Sequence, residues 1–139
     1  MMTKLGPVSI LVEHGKAVRI ILGTIIQPAK SIDPFKKQIE EYFSGFRKFL
    51  DFPVYIEGTK FQKKVWEIVR EIPYGVVKTY GELAKILDTS PKAVGMALSM
   101  NPLPIYIPCH RVVAKRGLGG FSSGLIWKKF LLEVEGVIL

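Results

Sequence analysis

One cysteine, Cys109, is all that this chain of 139 residues carries. That excludes an internal disulfide and argues against a cysteine-based zinc site. No long hydrophobic run is present either. The longest uncharged stretch, 93–109, contains Asn101 and three prolines and could not cross a bilayer as a helix. The apolar run after Lys4 is broken at Glu13 and His14 before any plausible cleavage site, so no export signal is read. These absences predict a soluble, cytoplasmic protein with no membrane association, where a reducing environment keeps a lone thiol free. Acidic residues are also few, 12 against 20 Lys and Arg, for a net charge of +8. Residues 54–139 hold twelve basic and seven acidic side chains, residues 1–53 eight and five. The basic excess of the second segment points to a polyanion, nucleic acid above all, although a solvated lysine-rich surface carries the same signature.

What is present divides into two parts. In residues 1–53, the β-rich runs Val8–Glu13 and Lys16–Leu22 meet at His14-Gly15 as a hairpin, which leaves His14 a solvated turn residue. Asp33 as N-cap and Pro34 in the first turn then open a helix whose apolar face is Phe35, Ile39, Tyr42 and Phe43. Residues 45–53 read as the connection to a second domain, 54–139.

That second part is strongly punctuated. Thr59 and Gln62 form a capping box for a helix with Phe61, Val65, Ile68 and Val69 inward. A second box, Thr79 and Glu82, starts a helix with Tyr80, Leu83, Ala84 and Leu87 on one side. Three turn residues follow, then Ser90 and Pro91 begin another helix that runs to about Met100. Helix, short turn, helix is the layout of a helix-turn-helix, whose second helix can enter a DNA groove; an ordinary helical hairpin has the same spacing. In that second helix Ala93, Val94, Ala97 and Leu98 pack, Gly95 suggests a close backbone approach, and Lys92, Met96 and Ser99 face out. Asn101-Pro102 ends it. Short extended pieces at Ile105–Ile107 and Arg111–Val113 flank the cysteine. Residues 115–124, with four glycines and two serines, form a loop or wing. A last helix from Leu125 to Glu135 turns Trp127, Phe130, Leu131 and Val134 inward.

Cys109 lies in Ile107-Pro-Cys-His-Arg-Val-Val113. A thiol reacts as thiolate, and an ordinary cysteine is ionised to roughly 3% at pH 7, so His110 and Arg111 beside it matter. Taken alone, the pair is a weak signal, since a small buried core residue is the commonest fate of a free cysteine. The surrounding motifs decide: Pro108-Cys-His-Arg-Val112, Tyr80-Gly-Glu-Leu-Ala, Ala93-Val-Gly, Asn101-Pro102, the glycine-serine loop and Leu131-Leu-Glu-Val-Glu-Gly136 together resemble the O6-alkylguanine-DNA alkyltransferases across residues 61–136. The first part of the chain resembles their N-terminal domain only loosely.

The resemblance implies a mixed α/β (α+β) fold, with a small ribonuclease H-like sheet-plus-helix domain followed by a winged helix-turn-helix-like catalytic domain. It implies direct-reversal repair with no cofactor and no metal, on double-stranded DNA containing O6-alkylguanine, by a protein read as a monomer. In it Cys109 is the nucleophile that keeps the alkyl group, and His110 takes its proton through a water. Glu135 orients the imidazole, with Glu133 as the alternative by proximity. Tyr80 hydrogen-bonds the flipped base, the carbonyls of Cys109 and Val112 accept its amino group, the Ser122 N–H reaches O6, Leu98 lines the alkyl pocket, and Asn101 is a hinge. Lys92, Ala93, Ser99, Arg111, Lys115 and Arg116 are the expected DNA contacts. Lys92 stands where the family commonly carries an arginine. Three other readings compete: a lesion-binding sensor without chemistry, a helix-turn-helix regulator with a sensing thiol, and a cysteine hydrolase.

Overall fold

In the computed structural model, which describes residues 2–24 and 34–137, the chain begins with a hairpin. Strands β1 (Val8–Glu13) and β2 (Lys16–Leu22) pair antiparallel, with a bulge between Leu11 and Val12. The turn is His14-Gly15, both at positive φ (51° and 77°), the geometry that matches the twist of the strands it joins. Helix α1 (Phe35–Phe43) follows; Pro34 is its N-cap without a side-chain bond, and Asp33, expected there, lies outside the described residues. Phe35, Gln38, Ile39 and Tyr42 form its buried face.

The second part is helical. Both capping boxes form as the sequence predicts, at Thr59/Gln62 and Thr79/Glu82. Helix α2 (Lys60–Arg70) buries Val65, Trp66 and Val69, whereas Phe61, predicted on that face, is exposed. Trp66 takes the inner position and its indole N–H donates to the Ala97 carbonyl at 2.9 Å. Helices α3 (Tyr80–Leu87) and α4 (Pro91–Ser99) flank the three-residue turn, with Asp88 left-handed at φ 53° and Ser90 capping Ala93 N at 3.1 Å. That places α4 as the second helix of a helix-turn-helix, with Lys92, Met96 and Ser99 on its exposed side.

Around the cysteine the expectation of extended pieces fails. Residues 104–107 make a tight turn closed by a Pro104–Ile107 bridge, with Ile105 at φ +76°. Cys109–Arg111 is a single 3₁₀ turn, and only Val112–Val113 is a strand (β4), parallel to β3 (Lys78–Thr79). A left-handed β-branched residue costs about 1–3 kcal/mol, so the turn must be held by its surroundings. The Ile107 N–H to Leu103 carbonyl bond of 2.8 Å and the Asn101 side chain do so. Helix α5 (Leu125–Val134) closes the fold, burying Trp127, Lys128, Leu131 and Leu132, while Phe130 and Val134 are half-buried.

One hydrophobic cluster runs through both parts, from Val8 and Ile20 on the hairpin to Val112 and Leu131 beside the cysteine. Backbone bonds from Ile20 N to the Pro102 carbonyl (3.0 Å) and from Tyr55 N to the Ala17 carbonyl (3.0 Å) stitch the hairpin to the second part of the chain. Among the described residues no helix is long and apolar enough to cross a membrane.

Candidate active site

Cys109 sits at the base of a cavity of about 390 Å³ between α3, α4 and the loop after β4. Tyr80, Lys92, Leu98, Ser99 and Ser122, all predicted from sequence, are on its wall, with Phe121 and Gly120 from the loop. Gly119 has φ +76°, and a Cβ there would fall 2.7 Å from the Tyr80 ring. Only glycine lets the loop lie against that ring. Gly95 is less demanding: a Cβ would meet Tyr80 at an ordinary 3.8 Å, so packing within the chain does not require the glycine read as a close approach.

Asn101, just past the end of α4, holds the cysteine. Its amide donates to the Ile107 carbonyl (2.9 Å) and to Cys109 Sγ (3.1 Å), and its oxygen accepts from Leu103 N (2.9 Å). Burial nevertheless pushes the Cys109 thiol up to about 11, against the downward pull of that bond and of the Lys128 charge. At rest it is a protonated thiol, not the thiolate that its neighbours in sequence suggest.

Behind the thiol lies a sealed polar cluster. Glu135 is buried at 6% exposure, and Glu133, the sequence alternative, is exposed. Oε2 of Glu135 meets His110 Nε2 at 2.5 Å, the Tyr42 hydroxyl at 2.6 Å and Arg111 Nη2 at 3.0 Å. Oε1 accepts from Arg111 Nε (2.8 Å) and from the Gly75 N–H (3.0 Å). Burial alone would raise the carboxyl; the bonds and charges of His110 and Arg111 outweigh it and hold Glu135 well below the usual carboxylate range. An ionised Glu135 fixes the tautomer: His110 Nε2–H donates to it, and Nδ1 is left as the unprotonated nitrogen, without a partner among the described residues. Burial lowers the His110 imidazole, opposed by Glu135 and assisted by the Arg111 and Lys128 charges.

Arg111 is therefore not a DNA contact. It is 4% exposed, and its guanidinium is used by both Glu135 oxygens and by the Ile72 carbonyl at 2.7 Å. A buried carboxylate demands a paired cation, and that demand withdraws the side chain from the surface. Lys115 and Arg116 are exposed on the loop after β4, and Ala93 is half-buried on α4. Val112 is wholly buried, and its carbonyl already accepts from Lys128 Nζ at 2.6 Å. The Cys109 carbonyl accepts from Val112 N. Each carbonyl keeps a second lone pair.

Lys128 escaped the sequence reading. It stands in α5 between Trp127 and Lys129, yet Lys128 is fully buried and Lys129 exposed. Besides Val112, its ammonium donates to the Gly120 carbonyl (3.0 Å) and the Tyr80 oxygen (3.4 Å). No carboxylate faces it among the described ion pairs, so burial lowers it to about 8, with Cys109 opposing. The Tyr80 hydroxyl itself donates to the Gly120 carbonyl at 3.3 Å, and burial pushes its pKa above the ordinary tyrosine value, so it remains a phenol.

A thiol thus faces a cavity, backed by an imidazole oriented by a buried carboxylate, with a helix-turn-helix along the cavity rim. The DNA-binding domain family of 6-O-methylguanine DNA methyltransferase matches residues 60–137. This chain belongs to that family. The methylated-DNA–protein-cysteine methyltransferase of Archaeoglobus fulgidus is 42% identical over 135 residues, 93% of this chain and 92% of its own. The fold is similar to that of Mycobacterium tuberculosis OGT crystallised in complex with DNA, with a TM-score of 0.85 at 29% identity over 98% of this chain and 90% of that one. S. pombe Atl1, in complex with damaged DNA containing O6-carboxymethylguanine, aligns with 59% of this chain and 81% of its own at 37% identity and a TM-score of 0.52.

Proposed function

We infer that the protein repairs DNA by direct reversal, moving the alkyl group of O6-alkylguanine onto Cys109. The observation that carries this reading is Cys109 Sγ at the base of the cavity, held by Asn101 and backed by the His110–Glu135 pair. The reacting carbon is inaccessible within a duplex, so the nucleotide is flipped into the cavity at a cost of about a few kcal/mol. Helix α4 and the exposed Lys115 and Arg116 hold the backbone.

Within the cavity the thiol proton passes to His110 Nδ1 by way of a water molecule. Sγ then attacks the alkyl carbon, the C–S bond forms as the C–O6 bond breaks, and that electron pair stays with guanine. The Tyr80 phenol donates a hydrogen bond to the departing purine, and the Lys128 ammonium lies behind it, so the anion forms next to positive charge. The Ser122 N–H serves O6, and Leu98 bounds the space for the alkyl group. The product is a thioether, which no group in the site can cleave, so each molecule reacts once. No cofactor or metal takes part. We assign the catalytic unit to residues 54–139, and a monomer in the cytoplasm as the working form.

Intact mass after incubation with duplex DNA carrying one O6-methylguanine tests this. A stoichiometric gain of one methylene, mapped to Cys109 and absent with undamaged DNA, is expected. An unchanged mass despite tight binding to the lesion would make the protein a sensor instead.

A further inference from the structure

Tyr42 belongs to the hairpin-and-helix half of the chain, where the sequence shows only an apolar helix face, yet its hydroxyl ends in the cluster behind Cys109. The residue is 1% exposed, and its ring stands edge-on to Phe43 (5.2 Å between centroids) and Tyr74 (6.0 Å). The hydroxyl donates to Glu135 Oε2 at 2.6 Å and lies 3.5 Å from His110 Nε2. Tyr42 and His110 therefore share one carboxylate oxygen, to which Arg111 Nη2 also donates.

We propose that Tyr42 is a positioning residue for alkyl transfer, through which the first part of the chain sets the orientation and basicity of His110. The importance of this for repair rests on the transfer reaction inferred above. An oxygen that accepts from a phenol has less charge to offer a second donor. While Tyr42 donates, Oε2 holds the His110 ring in place yet stabilises an imidazolium less than it would without the phenol. Packing alone would be served by phenylalanine, which fills the same space and leaves the hydroxyl's contribution as the difference.

The other groups facing His110 leave this contribution visible. Glu135 and Arg111 form a fixed ion pair, Lys128 contributes a positive charge from α5, and Cys109 is its chain neighbour. Tyr74, next to Tyr42, donates its own hydroxyl to the Val134 carbonyl at 2.9 Å and does not reach the carboxylate. Burial, and then Glu135, raises the Tyr42 hydroxyl well above its ordinary value, so it is a donor throughout the working pH range.

The chain has two histidines, and the second, His14, lies exposed in the hairpin turn, so a ¹⁵N-histidine-labelled sample gives one reporter and one internal control. In the native protein His110 must show Nε2–H and a bare Nδ1. The opposite tautomer would overturn the proposal whatever any variant does. In Tyr42→Phe the His110 Nε2–H signal is expected downfield of its native position at neutral pH, with His14 unmoved. The acid limb of the pH–rate profile for alkyl transfer is expected to rise by about one pH unit, with lesion binding unchanged. An unmoved Nε2–H signal in a folded variant would reduce Tyr42 to packing. Because the spectra need neither DNA nor transfer, they separate failure of this proposal from failure of the repair reading.

Discussion

Cys109 lies between two buried cations that the protein treats in opposite ways. On the sealed side, Arg111 is paired with the Glu135 carboxylate through two hydrogen bonds and donates a third, from Nη1, to the Ile72 carbonyl. On the cavity side, Lys128 is held, among the described residues, by neutral acceptors, the carbonyls of Val112 and Gly120 and the Tyr80 oxygen. The first cation is compensated before any reaction occurs; the second is not. A positive charge without its anion is costly to bury, which is why Lys128 falls to about 8. It is also the charge that gains most when a thiolate and then a guanine anion form nearby. The comparison teaches that burial of charge on the sealed side serves geometry, and in the proposed reaction that on the cavity side serves the transition state.

The sharpest cut removes the group that both sides surround. Cys109→Ser is expected to abolish transfer while leaving affinity for O6-methylguanine duplex largely intact, measured by intact mass and by titration of labelled DNA. Loss of binding as well would mean that the thiol also holds the local fold. Removing the compensated cation comes next. Arg111→Met leaves Glu135 buried without its main partner and should cost about 3–5 kcal/mol of stability, read from denaturant unfolding. The sign with pH follows from Glu135, whose carboxyl is depressed in the native state. Its contribution is complete above the unfolded glutamate value of 4.5 and fades as pH falls toward the native one. The gap between native protein and Arg111→Met should therefore narrow in acid; a gap that widened would rule out the carboxylate as its source.

This division was half visible in the sequence. Capping boxes, the Ser90-Pro91 start and the His14-Gly15 turn act within a few residues, so local pattern was sufficient for them, and all three formed. Cys109, His110, Glu135, Tyr80 and Asn101 were reached through motifs, and the structure brings all five to one place. What escaped depends on contacts across the chain. Arg111 looks like a surface cation until Glu135, 24 residues on, is known to be buried beside it. Lys128 and Phe61 are exchanged in the same way: helical periodicity assigns lysine outward and phenylalanine inward, and tertiary demands reverse both. Tyr42 is legible as core, but nothing local tells that its hydroxyl finds a carboxylate 93 residues away.

The cavity-side cation should show itself in rate rather than stability. Lys128→Met removes a charge that is costly to bury, so unfolding free energy should change little or rise, while transfer falls by about 10²-fold in single-turnover assays. Native protein should also lose rate as pH passes through about 8, where the ammonium deprotonates, and Lys128→Met should lack that step. Folding linkage has the opposite sign: between about 8 and 10.5 the unfolded lysine holds a proton that the native one does not, so this group adds stability as pH rises. A rate step and a stability gain at the same pH, both gone in Lys128→Met, would assign them to one side chain. A rate step that survived the substitution would move the assignment elsewhere.

The smallest effect is expected at the rim, where Lys92 is exposed on α4 and lines the cavity mouth. Lysine supplies charge there without the planar guanidinium that can stack in the space left by a flipped base. Lys92→Arg should therefore speed transfer from duplex DNA severalfold and leave transfer from free O6-alkylguanine unchanged, because a free base needs no flipping. The ratio of the two rates isolates residue 92 from the chemistry at Cys109, since Lys128, His110 and Glu135 act on both substrates alike. An equal gain on both would place Lys92 in the electrostatics of the cavity beside Lys128, and the contrast between rim and interior would disappear.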